Sequence, residues 1–212
     1  MMKQLAATVH EQLIQWLGDN QKLIVAIDGY PGSGKSTLLK ELANYDDVVG
    51  IERDDFIRLR DDVQALIEKT GDAGEVFFTD AIDNEQLAGL ITKFRQSADG
   101  ATVFGYNPQN GLIDRSMRYD FSRPILVVEG IFLFEPSPLN ILWDKRILLT
   151  GNEAQIDARR VAREKAKWGA DYFPENHPDS YLRQICERFR QYERENHPAK
   201  QADLVLTTTE QE

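Results

Sequence analysis

The chain is poor in cysteine: of its 212 residues only Cys186 carries a thiol. No intrachain disulfide and no cysteine-based metal site can therefore form. The neighbours Leu182, Ile185 and Phe189 place Cys186 on the buried face of a helix, as a small buried hydrophobe rather than a reactive thiol. Long hydrophobic runs are also missing. The longest, around Ile125 to Phe134, is broken by Glu129 and is too short to cross a bilayer. The N-terminus has no charged region followed by an apolar one, so no secretory leader is read there. Instead Leu5, Val9, Leu13, Trp16 and Leu17 recur at the spacing of an amphipathic helix. Acidic residues outnumber basic ones, 35 to 25: the formal net charge is -10, so most of the surface repels nucleic acid and anionic membrane, and neither is an expected partner. His10, His177 and His197 have no metal-ligand spacing with one another or with Cys186, which leaves them solvated or capping roles. Trp16 and Trp143 read as packing residues. There is no internal repeat, low-complexity tract or interdomain linker, which predicts one domain over 1–212 in the cytoplasm.

The residues that are present describe a folded α/β chain. Apolar residues make up 42% and charged residues 28%, an ordinary balance that argues against disorder. Leu23 to Ile27 reads as a buried parallel strand, and Val48 to Ile51, Thr102 to Phe104, Ile125 to Val128, Arg146 to Leu149 and Leu204 to Leu206 as further strands. Helices are predicted from Ser36 to Ala43, after a cap at Asp83, from about Glu153 to Lys167 and from about Pro178 to Glu195. The stretch from Phe56 to Phe78 is mixed. Strands alternating with helices imply a parallel sheet of about five strands with helices on both faces. The N-terminal helix packs either on this sheet or on a second copy of the chain, so a homo-oligomer stays open.

Gly29-Tyr30-Pro31-Gly32-Ser33-Gly34-Lys35-Ser36 fits the P-loop pattern G-x-x-x-x-G-K-[ST], between a predicted strand and a predicted helix. Glycines let consecutive backbone N–H groups converge on phosphate oxygens, and the helix that follows adds its positive end. The segment from Gly29 through Thr37 is thus the expected nucleoside-triphosphate site. Lys35 is expected to reach the β- and γ-phosphates and Ser36 to ligate Mg²⁺.

In open parallel sheets, ligands sit beyond the carboxyl ends of the strands. Asp54-Asp55 and Glu129 fall there. Glu129 closes the most apolar strand, as an acid that holds Mg²⁺ would, although a plain strand-end surface residue has the same pattern. Asp54 is placed to orient and deprotonate an attacking hydroxyl and to lie near the metal; helix capping ahead of Phe56 is the alternative.

These motifs resemble the uridine kinase-like P-loop kinases, a group that includes phosphoribulokinase, pantothenate kinase and nicotinamide riboside kinase relatives. The resemblance rests on Gly29 to Ser36, Asp54-Asp55-Phe56, Asp80 to Glu85, Val128 to Ile131, Arg159-Arg160 with Arg163, and Ala202 to Val205, in that order. It spans about Leu23 to Leu206. It implies a P-loop NTPase fold with a small helical lid at roughly 157–180, and ATP and Mg²⁺ as cofactors. Asp54 would be the catalytic base, aided by Lys35 and by Arg160 and Arg163 of the lid. It also puts Arg58 near the substrate, Phe104 against a nucleobase, and Gln109 where a base-contacting histidine is usual. The i, i+3 spacing of Arg160 and Arg163 independently gives one helix face, which a solvated face paired with Asp157 and Glu164 also explains. Phe77 stands where the family has a ribose-gripping aspartate, and Trp168 and Ala170 where it has two more lid arginines. The activity implied is transfer of the γ-phosphoryl group of ATP to a hydroxyl of a small metabolite, be it nucleoside, vitamin or sugar. A nucleotide-binding regulatory NTPase is the other class, but the chain lacks the N-K-x-D guanine-recognition pattern.

Overall fold

The computed structural model describes residues 2–96, 99–169 and 180–208. Strands β1 (Leu23–Gly29), β2 (Val48–Glu52), β5 (Ile125–Glu129), β6 (Lys145–Gly151) and β7 (Leu204–Thr208) form one parallel sheet in the order β2-β5-β1-β6-β7. Because both faces are covered, β1 and β5 are buried along their whole length. That is why they read as unbroken apolar runs rather than alternating ones.

The two faces separate by the period of two. Leu23, Val25, Ile27, Ile125 and Val127 pack with helices α1 (Met2–Leu17) and α2 (Lys35–Leu42). Ile24, Ala26, Leu126 and Val128 face the other layer, built from α5 (Asn84–Arg95), α6 (Glu153–Trp168) and α7 (Tyr181–Asn196). Helix α1 buries Ala6, Val9 and Leu13 on its own sheet, which settles where the N-terminal helix packs. Asp83 caps α5 by accepting from the Gln86 amide, and Leu87, Leu90, Ile91 and Phe94 are buried as their spacing predicts. The mixed stretch resolves into α3 (Arg60–Thr70) and α4 (Ala73–Thr79), which share a small core around Val63, Ile67 and Val76. A short α8 (Pro198–Gln201) precedes β7.

Four expectations need correction. The strand read at Thr102 to Phe104 is not part of the main sheet. It belongs to β3 (Gly100–Tyr106), which pairs antiparallel with β4 (Ile113–Asp120) as a separate hairpin. The sequence hides β4 because nearly all its side chains are exposed, leaving no apolar alternation to detect. Helix α7 starts at Tyr181, capped by Ser180, rather than at Pro178. Cys186 is buried but is not a purely apolar filler, since Arg160 Nη1 donates to its Sγ at 2.6 Å. His10 is neither solvated nor a cap: it stacks on Tyr45 at 3.7 Å and its Nε2 lies 2.9 Å from Asp47. Ala170 and His177 lie outside the described residues, as does much of the expected lid.

Candidate functional site

The parallel sheet brings the carboxyl ends of β1, β5 and β2 side by side. Register puts Glu129 level with Ile27 on one side and Glu52 on the other. The P-loop leaves β1 at this edge and enters α2, whose N-cap is Gly34 at φ 103, a left-handed conformation that glycine adopts without strain. No side chain caps this helix end. Its first-turn amides are therefore free for an anion, and the Ser33 hydroxyl, buried beside them, has no hydrogen-bond partner among the described residues. An uncapped helix start and an orphaned hydroxyl are what a phosphate-binding cradle requires.

Lys35 is buried, with Nζ donating to the carbonyls of Gly29 (2.7 Å) and Tyr30 (3.1 Å). Burial pulls its pKa down, while Glu129, Asp28 and Asp54 push it back up, so three carboxylates surround one ammonium. Ser36 Oγ donates to Glu129 Oε1 at 2.8 Å. Glu129 is only 5% exposed, and burial raises its pKa to about 7 despite Lys35 and the Ser36 bond. A cation here would replace the missing charge balance: hydroxyl and carboxylate are hard oxygen donors of the kind Mg²⁺ takes.

A cavity of about 350 Å³ opens over this group. On one side lie Pro31, Gly32, Gly34, Lys35, Ser36 and Thr37; Asp54 and Glu129 stand at the strand tips. Arg160 and Arg163 approach from α6. The remaining wall is Phe77, Gly130, Ile131, Leu182 and Ile185. Asp54 is exposed to this space, in a 3-10 turn (Arg53–Phe56) that no side chain caps, so the capping alternative finds no bond to support it. Tyr30 contributes backbone: its ring is buried against Phe189, and its hydroxyl accepts from Arg190 at 2.7 Å.

The other expected residues are more dispersed. Arg160 is buried, paired with Asp157 at 3.0 Å and with Cys186, while Arg163 is exposed at the cavity. Arg58 is exposed, and its Nε donates to the Asp80 carbonyl at 3.0 Å. Phe104, 56% exposed on β3, and Gln109, exposed in the hairpin turn, do not line this cavity.

Two charged residues escaped the sequence reading. Asp28, wholly buried in β1, accepts from the Gly29 amide, the Leu133 amide (2.9 Å) and the Tyr192 hydroxyl (2.7 Å). Burial raises its pKa. The available signal was an acid ending an apolar strand, one residue past Ile27. Arg53 is 2% exposed and donates from Nη1 to the Ile131 carbonyl at 2.8 Å. Together with Trp143, whose Nε1 donates to the Leu133 carbonyl, these bonds fix the loop after Glu129 so firmly that Phe132 holds φ 61, a strained value for an aromatic residue.

The profile of the phosphoribulokinase / uridine kinase family matches residues 24–211. The nicotinamide riboside kinase of Eremothecium gossypii is 27% identical over 169 residues, 72% of this chain and 68% of the relative. Nicotinamide riboside kinase 1 of Homo sapiens is 26% identical over 66% of this chain and 64% of its own. The chain thus spans about two thirds of the length of these relatives. Among solved structures, a possible uridine kinase from Bacillus stearothermophilus superposes with TM-score 0.68 at 16% identity, covering 97% of this chain and 96% of the other. A putative fructose transport system kinase from Silicibacter sp. TM1040 gives 0.65 at 20%, covering 97% and 98%. At these identities the solved structures speak for the fold alone.

Proposed function

The chain belongs to the phosphoribulokinase / uridine kinase family, and from that premise we propose that it transfers the γ-phosphoryl group of ATP to a hydroxyl of a small metabolite. The observation that carries this reading is the convergence of Lys35, Ser36, Asp54 and Glu129 on one cavity at the carboxyl edge of the sheet. A guanine-switch or plain binding role leaves Asp54 without a task there. When bound, MgATP supplies the phosphoryl group to be moved and the cation that screens its charge.

In this reading the amides from Gly32 to Thr37 bind the phosphates, and Ser36 with Glu129 holds Mg²⁺, with Asp54 beside it. Lys35 exchanges its carbonyl partners for phosphate oxygens. The Asp54 carboxylate orients the acceptor hydroxyl and takes its proton. Arg163, with Arg160 behind it, offsets charge that builds on the phosphates from the opposite wall. Phe77, Ile131, Leu182 and Ile185 keep water from the reacting oxygen. Arg58, Phe104 and Gln109 are assigned to the acceptor's outer end, on the hairpin side. An ATP-dependent reaction of this kind fits a cytoplasmic enzyme.

The test is acceptor-dependent ADP release from MgATP across nucleosides, vitamins and sugars. Asp54→Asn is expected to lower turnover by about 10²–10⁴-fold while MgATP still binds, as loss of a general base does. ADP release that needs no acceptor and ignores this substitution would instead identify a regulatory NTPase.

A further inference from the structure

Among the described residues Arg53 is the largest side chain to be fully buried, at 2% exposure, and the mechanism above gives it no task. Its bonds go to neutral oxygens: Nη1 donates to the Ile131 carbonyl at 2.8 Å and Nη2 to Asn84 Oδ1 at 3.4 Å. Nε, also buried, has no hydrogen-bond partner among the described residues. Burial disfavours the charge, and Glu135, Asp54 and Asp28 offset this through space without a hydrogen bond to it. A packed apolar side chain of similar length would leave one carbonyl unpaired, but it would remove a buried charge and an orphaned donor. Stability alone therefore does not call for arginine.

Its place in the fold does. The ladder between β2 and β5 ends at Glu52 and Glu129, and Arg53 and Gly130 are the next residue on each side. There the arginine stem fills the space that a Cβ at Gly130 would take, 2.8 Å from Arg53 Cβ. The side chain runs beneath Gly130 to Ile131, both of which line the cavity, while its backbone leads directly into Asp54. The far side of the Asp54 turn is fixed by backbone: Asp83 N donates to the Phe56 carbonyl at 2.8 Å and Arg58 N to the Ala81 carbonyl at 2.9 Å. Arg53 braces the side that faces Glu129. A planar guanidinium holds its acceptors in a fixed geometry, which a point charge on a flexible stem does not.

We propose that Arg53 is a positioning residue for phosphoryl transfer: it sets the separation of the Asp54 carboxylate from Glu129, and so where the acceptor hydroxyl is held. This rests on the kinase reading above. Arg53 does not line the cavity, so it acts through Asp54 and the segment after Glu129 rather than on ATP or the acceptor. Its loss belongs in turnover, not in nucleotide binding. A displacement of about 1 Å at a reacting group costs on the order of 100-fold in rate.

The experiment measures kcat and KM of the full chain with MgATP and whichever nucleoside, vitamin or sugar gives the fastest ADP release. Arg53→Met fills the buried volume without the guanidinium. It should lower kcat by about 10–100-fold and leave KM for MgATP within about twofold. Arg53→Lys, which offers the Ile131 carbonyl a single donor group, should recover part of the loss. In an Asp54→Asn background, Arg53→Met should change kcat by no more than about twofold, because the base it positions is gone. The inference is overturned, with the kinase reading left standing, by an Arg53→Met kcat within about twofold of wild type, by parallel loss of kcat and MgATP affinity, or by a full effect in the Asp54→Asn background. Where Arg53→Met fails to fold, a folded Arg53→Lys with wild-type kcat overturns it instead. A chain that binds MgATP and releases ADP with none of these acceptors overturns both readings.

Discussion

Ser36 Oγ donates to Glu129 Oε1 across 2.8 Å, fastening the first turn of α2 to the tip of β5. The bond joins two of the groups proposed to hold the metal; it favours the Glu129 carboxylate, but burial outweighs it.

Glu129 has a pKa raised from 4.5 to about 7, chiefly by burial. A carboxyl shifted upward stabilises the folded state while protonated. Its contribution is complete below the unfolded value and is lost as pH rises through the folded one. Without Mg²⁺ and nucleotide, stability is expected to fall by about 3 kcal/mol between pH 4.5 and 7.5 from this group. Glu129→Gln should flatten that slope, which urea denaturation across pH reads directly. An unchanged slope would remove Glu129 as its source.

Lys35→Ala should abolish nucleotide stabilisation. At 100 times its dissociation constant, MgATP raises the stability of a protein by about 2.7 kcal/mol. Because Lys35 Nζ sits among Glu129, Asp28 and Asp54, its loss removes a cation that offsets their repulsion of phosphate. Thermal melts with and without MgATP should separate for the wild type and coincide for the variant.

The sequence made the main sheet and its phosphate cradle legible because burial on both faces leaves unbroken apolar runs, and because a P-loop needs glycine and lysine at fixed spacing. Asp54 and Glu129 could be placed at strand ends by the same logic. The β4 strand could not, since only Met117 and Tyr119 of Ile113 to Asp120 leave solvent. Nor could the walls of the cavity: Leu182 and Ile185 carry no motif and meet Ile131 only through the fold. Asp28 and Arg53 were masked by their neighbours, one closing an apolar strand and the other beside the more conspicuous Asp54-Asp55 pair.

Tyr192 hydrogen-bonds Asp28 Oδ2 through its hydroxyl and accepts from the Phe134 amide at 3.2 Å, linking α7 to β1 and to the loop after β5. Tyr192→Phe keeps the ring but strips a buried carboxylate and a buried amide of one partner each. A loss of about 1–3 kcal/mol is expected in chemical denaturation. A change below about 0.5 kcal/mol would mean that the two groups find other partners.

Gly130 and Arg53 are coupled by contact. A Cβ at position 130 would lie 2.8 Å from Arg53 Cβ and 3.0 Å from its Cδ, closer than atoms tolerate. The arginine side chain runs under Gly130 to reach the Ile131 carbonyl, so it ties the turn bearing Asp54 to the segment that follows Glu129. Gly130→Ala should displace that side chain, at a cost of about 1–3 kcal/mol for overpacking. Arg53→Ala should be costly by another route, since it strips the Ile131 carbonyl of its donor and empties a buried volume. The double variant removes the clash along with the guanidinium, and a methyl group then occupies part of the vacated space. Its destabilisation should fall short of the sum of the singles by about 1 kcal/mol or more. Strict additivity in a double-mutant cycle would show that the two residues act independently, and that the spacing of Asp54 and Glu129 is set elsewhere.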